Sequence, residues 1–136
     1  MSDIYALKGK GNSGKSETIK FVYSELIQKY PSATIQQLST GTQDIKAILS
    51  NIKGHTIGIE SQGDPSSRLQ QSLQDFAKAN CTIIFCATRT RGMTVTWVNS
   101  MAGQYSIHFI PQTYVTTNFS INNLQMANNI ITRAGL

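Results

Sequence analysis

Eight consecutive residues, Gly9-Lys10-Gly11-Asn12-Ser13-Gly14-Lys15-Ser16, have the types and spacing to hold phosphate. They fill every fixed position of the pattern G-x-x-x-x-G-K-[ST]. Glycines let the backbone adopt positive φ and approach an anion closely. Successive N–H groups can then converge into a nest for phosphate oxygens. A helix starting at the end of such a loop adds its positive N-terminal dipole and unpaired N–H groups. In this pattern Lys15 reaches the β- and γ-phosphates, and the Ser16 hydroxyl is a ligand for Mg²⁺.

Phosphate chemistry also needs a carboxylate nearby, to support the cation or to orient water. Ile57-Gly58-Ile59-Glu60 ends an apolar run in one. A carboxylate there has few purely structural reasons to exist. The following Ser61-Gln62-Gly63-Asp64 adds a second acid and a glutamine, a residue type able to position an attacking water. Asp64 precedes Pro65, so capping of a helix is the competing role. Thr88-Arg89-Thr90-Arg91-Gly92 carries two of the four arginines in the chain. Their planar forks match phosphate oxygens and developing transition-state charge. Thr88 is placed as a polar sensor of the γ-phosphate. His55 and His108 have no metal-ligand spacing. Trp97, between Met93 and Met101 at helical spacing, reads as core.

The elements that must position these residues alternate short β-like runs with helix-period segments, the mark of an α/β sheet. Strands are expected at 3–8, 33–38, 55–60, 81–87 and 105–110. Residues 17–30 carry apolar Ile19, Val22, Tyr23, Leu26, Ile27 and Tyr30 at helix period. Ile45, Ile48, Leu49 and Ile52 predict a short second helix, with Thr42 as N-cap in the loop 39–42 and Gly54 past its end. A third helix runs from Asp64-Pro65 to Asn80, a fourth over 93–101, and a last one from Ser120 to Ile131. The 81–87 run is continuously apolar and suits a central parallel strand. Ligands of such sheets bind beyond the carboxyl ends of the strands, so the loops after them should hold the site.

The chain's 136 residues suggest one domain. Net charge is +5 with only 14% charged residues, a balance set by scarce acids. This favours phosphate-bearing ligands and, mildly, nucleic acid, although no run of clustered bases marks a nucleic-acid face. Cys81 and Cys86, five apart on one strand, would point to opposite faces and stay reduced. No apolar segment approaches the ~20 residues that span a bilayer, and no signal-peptide pattern opens the chain. The expected compartment is the cytoplasm, with no membrane partner.

Together, loop 9–16, the Ile57–Glu60 strand end and the Thr88–Arg91 strand end resemble a P-loop nucleoside triphosphatase. Ile57-Gly58-Ile59-Glu60 resembles the Walker B strand, with Glu where Asp is usual. The resemblance implies a single domain over 1–136, a three-layer α-β-α sandwich with a mostly parallel five-stranded P-loop NTPase sheet. It implies ATP as substrate or ligand, with Mg²⁺. Gly9, Gly11, Asn12, Ser13, Gly14, Lys15, Ser16 and Glu17 would bind nucleotide. Lys15, Glu60, Gln62, Arg89 and Arg91 would be catalytic, and Ser16, Glu60 and Asp64 would hold the metal. A homo-oligomer or a partner protein could supply a further arginine. The sequence lacks an Asn-Lys-x-Asp base-reading motif and a Leu-Ser-Gly-Gly-Gln signature, which argues against GTPases and transporter-type ATPases. ATP hydrolysis or ATP-driven switching is the favoured expectation. A small-molecule or nucleotide kinase with a minimal acceptor site, and a non-hydrolysing nucleotide-dependent interaction module, are the alternatives. Whether the 81–87 strand lies between the first and third strands, or outside the first, separates the ATPase-like from the kinase-like division.

Overall fold

The first strand, β1 (Asp3–Lys8), buries Ile4, Tyr5, Ala6 and Leu7 on alternating sides, so both of its faces are covered. The computed structural model describes residues 2–39 and 44–136. The further elements are α1 (Lys15–Lys29), β2 (Thr34–Gln37), β3 (Lys46–Ile52), β4 (His55–Glu60), α2 (Leu69–Lys78), β5 (Ile83–Thr88), α3 (Met93–Asn99), β6 (Ser106–Pro111) and α4 (Phe119–Arg133). Their strands form one mixed sheet in the order β2-β3-β4-β5-β1-β6. β4, β5, β1 and β6 are mutually parallel, while β3 pairs antiparallel with both β2 and β4. Helices cover both faces. Ile19, Val22 and Leu26 of α1 pack with Ala127, Ile130 and Ile131 of α4 on one side. Leu69, Leu73 and Phe76 of α2 pack with Val98 of α3 on the other.

The sheet thus has six strands and a mixed pattern, not five mostly parallel ones. The difference lies in residues 46–52, expected as a helix and found as β3. Leu49 and Ile52 share the spacing of a helical face, and both sit in the α1/α4 core. A register shift between them supplies the reason. A bulge inserts an extra residue, here with Asn51 at φ 65°, and returns a side chain three positions on to the same face. The chain then turns through Lys53 and Gly54, both at positive φ, into β4. The 39–42 loop and the Thr42 cap lie largely or wholly outside the described residues.

Two smaller expectations also shift. The third helix begins at Leu69, not at Asp64-Pro65, and its N-cap position is Arg68. Asp64 instead pairs with Arg89. Cys81 precedes β5, so strand alternation does not govern it, and both cysteines enter the α2/α3 core as free thiols. Burial pushes both thiols up to about 12. Among the described residues, no helix is long and apolar enough to cross a membrane.

Gly58 of β4 lets Phe76 lie directly on the sheet, since a Cβ there would come within 2.5 Å of the Phe76 ring. Gly58→Ala is therefore expected to lower stability by about 1–3 kcal/mol, the range for overpacking a closed core. Urea unfolding checks this, and an unchanged midpoint would contradict the close approach.

Candidate functional site

The loop after β1 emerges between neighbours on both sides: the Gly9 N–H donates to the Thr88 carbonyl of β5, and the Gln112 N–H after β6 donates to the Lys8 carbonyl. Asn12 and Gly14 both take left-handed φ, 58° and 92°, which turns loop N–H groups inward. A side chain at Gly14 would also collide with the Asn123 amide of α4 at 2.8 Å. Gly14 is the N-cap of α1 and places no side-chain hydrogen bond there, so the first N–H groups of the helix suit an anion. The Ser13 hydroxyl donates to the Lys10 carbonyl at 2.7 Å and fixes the loop's curl.

Lys15 is only 7% exposed, and its Nζ donates to the carbonyls of Gly9 and Lys10 at 2.8 and 2.7 Å. Burial lowers its pKa, and the nearby Arg89 charge lowers it further, against a smaller opposing pull from Asp64. A phosphate beside Lys15 would oppose this lowering, because a further negative charge favours the charged ammonium.

A cleft of about 640 Å³ opens beside the loop. Lys15 and Ser16 line it together with Ser61, Gln62, Gly63 and Asp64 after β4, and Arg89 after β5. Arg89 lies against Gly11, where an added Cβ would touch its guanidinium at 3.0 Å. Its Nε and Nη2 both donate to Asp64 Oδ1, at 3.1 and 2.8 Å. The structure therefore brings Lys15, Ser16, Gln62, Asp64 and Arg89 to one cleft. Arg91 is exposed and does not line it. Thr88 is buried at the loop's base, donating to the Arg89 carbonyl, and does not line it either.

Glu60 departs most from expectation. It is fully buried and does not line the cleft, its carboxylate being enclosed in a clasp. Arg68 donates to it through Nε at 2.8 Å and Nη2 at 3.2 Å. The Ser72 hydroxyl donates at 2.5 Å and the Gln62 N–H at 3.1 Å. These donors fix β4 to the start of α2 and hold loop 61–68 in place. Held in this way, Glu60 does not line the cleft and meets it only through the Gln62 N–H.

Besides Asp64, an acid that reaches the loop is Asp44, just before β3. Its Oδ1 accepts from the Ser16 hydroxyl and from the Ser61 hydroxyl, both at 3.0 Å. The Ile45 N–H in turn donates to Ser61 Oγ at 2.8 Å, which ties the start of β3 to the end of β4. Sequence reasoning did not name Asp44, because the segment after it read as a helix. Asn123 was also missed. It is 2% exposed and donates to Glu17 at 2.9 Å, from a helix more than 100 positions along the chain. No local signal in the sequence links it to the loop. His55 and His108 bond Thr82 and Asp3 respectively, away from this region.

No protein-family model matches the chain, and no characterised protein or solved structure matches it.

Removing Arg68 would leave Glu60 buried with its countercharge gone. Arg68→Ala is expected to cost about 3 kcal/mol of stability, whereas Arg91→Ala should stay within about 0.5 kcal/mol of the parent. Denaturant titration of both variants checks this; equal midpoints would show that the clasp contributes nothing.

Proposed function

We propose that the chain binds a nucleoside triphosphate, ATP in the first instance, on the 9–16 loop and hydrolyses it with the help of Mg²⁺. The observation that carries this reading is the loop itself: left-handed Asn12 and Gly14, an uncapped α1 N-terminus and a buried Lys15 with depressed pKa converge on one spot. The position of β5 between β1 and β4 supports the ATPase-like division over the kinase-like one. The lack of room for a lid between Thr88 and α3 supports it too.

In this reading Lys15 leaves the Gly9 and Lys10 carbonyls and binds the β- and γ-phosphate oxygens. Loop N–H groups hold the rest of the triphosphate. Ser16 and Asp44 offer a hydroxyl and a carboxylate on one side of the cleft, hard oxygen donors that fit magnesium. When bound, the ion neutralises charge between the β- and γ-phosphates. Arg89 turns from Asp64 to the γ-phosphate and stabilises the charge that spreads over it. Asp64, released from Arg89, and Gln62 are then the cleft groups available to orient a water. The water oxygen bonds to the γ-phosphorus as the bridge oxygen departs with its electron pair on the diphosphate. The water's proton passes to Asp64. Each charge contact of this kind is worth about 3–4 kcal/mol of barrier.

One observation favours a second reading, a nucleotide-dependent interaction module that does not hydrolyse. The acid at the end of β4 is held by Arg68 and Ser72 and does not face the cleft.

A phosphate-release assay with ATP and Mg²⁺, without any acceptor, separates the two. Release is expected, and binding without release would leave the switch reading standing. Lys15→Ala should weaken triphosphate binding by more than about tenfold, in line with loss of one charged contact; wild-type affinity in that variant would sink the site. Asp44→Asn is expected to raise the Mg²⁺ concentration needed for tight nucleotide binding by about tenfold, measured also as Mn²⁺ bound alongside nucleotide by electron paramagnetic resonance. An unchanged metal requirement would remove Asp44 from the cation site.

A further inference from the structure

A second cavity, of about 320 Å³, meets the phosphate loop from the other side. Asn12, Ser13 and Gly14 line both cavities. The first cavity lies toward β5 and β4. The second lies beyond β6, against the segment 114–119 and α4. The two differ in chemistry. The first gathers Lys15, Arg89, Asp44 and Asp64, which suits phosphate and a cation. The second is lined by Tyr114, Val115, Thr116 and Phe119, and among the described residues lining it the one charged group is the carboxylate of Glu17.

We propose that this second cavity seats a purine base, belonging to a nucleotide whose phosphates occupy the 9–16 loop. The proposal rests on the phosphate reading above and adds where the base of that nucleotide sits. Charge complementarity orients the ligand. Lys15 and Arg89 line the first cavity, whereas Glu17 disfavours a phosphate tail in the second, where a neutral planar ring meets no such penalty and Lys10 stands over the Tyr114 ring. Glu17 is held in place, its Oε1 accepting from Asn123 at 2.9 Å.

The aromatic residues carry the rest of the argument. Tyr114 and Phe119 are 53% and 58% exposed, while the core rings Phe76 and Phe85 are fully buried. Two large rings left in water around one cavity are a surface for stacking. Lys10 of the loop sits 4.8 Å from the Tyr114 ring centre, so the loop that would hold the phosphates also contacts that ring. A bicyclic base covers more of both rings than a single-ring pyrimidine does. Base–aromatic stacking of this kind changes affinity by about tenfold or more per ring removed.

The test measures, by titration calorimetry on the full chain, the affinities of Mg²⁺ complexes of ATP, GTP, CTP and inorganic tripolyphosphate. A purine nucleotide is expected to bind at least about tenfold more tightly than CTP and tripolyphosphate. Phe119→Ala, and separately Tyr114→Ala, should each erase most of that advantage while leaving tripolyphosphate affinity unchanged. Both side chains are exposed, so folding is not at risk. CTP or tripolyphosphate binding as tightly as the purine nucleotides would overturn the proposal. So would variants that keep the purine preference or weaken every ligand alike. If tripolyphosphate and all nucleotides fail to bind, the phosphate reading itself falls, and this proposal with it.

Discussion

The parallel pairing of β1 with a strand on each side is the constraint on which the rest depends. Its hydrogen bonds run from Asp3 to Lys8 against β5 and β6 alike. Both faces are buried by helices, so register is fixed by packing as well as by the ladder. Parallel strands end at one edge of a sheet. The loops after β1, β4, β5 and β6 therefore emerge together, and residues far apart in sequence meet there without any special local signal. The 9–16 loop is braced at its base by the Thr88 carbonyl and from beneath by Asn123. A loop with two left-handed residues needs such bracing, because its backbone would otherwise sample many conformations.

Carboxylates are scarce in this chain, and the structure separates their roles by burial. Glu60 is enclosed with Arg68 and Ser72, where a buried charge must keep its partners or destabilise the fold. Asp44 and Asp64 stand at the cleft, one on the Ser16 side and one on the Arg89 side. The Lys46–Asp75 pair ties β3 to α2, and the hydrogen bond from Lys46 holds the Asp75 carboxyl below its ordinary range. The antiparallel addition of β2 and β3 thus does more than widen the sheet. Pairing of β3 with β4 sets Asp44 beside Ser61 and so against Ser16.

The two cavities follow from the same topology. β1 stands between β5 and β6, so its loop has a wall on either side. The wall toward β5 is built from the polar loops of the parallel core. The wall beyond β6 is built from the aromatic segment that leads into α4.

Local pattern determined much of this protein. The 9–16 loop between a strand and a helix, strand β1, helix α1, the central apolar strand β5 and the last helix all follow from composition and period, because each is decided by contacts near in sequence or by burial on both faces. Residues 46–52 show the limit: a bulge reproduces helical spacing on a strand, and only pairing with β4 distinguishes the two. Asp64 reads as a helix cap in sequence, but the helix starts five positions later and Arg89 takes its carboxylate. Most of all, the sequence places Glu60 at a strand end without saying which way its carboxylate turns. Arg68 and Ser72, brought over it by the packing of α2, decided that. The positions of Asp44 and Asn123 were likewise set by tertiary structure alone, since the hydrogen bonds that hold them cross 28 and 106 positions of chain.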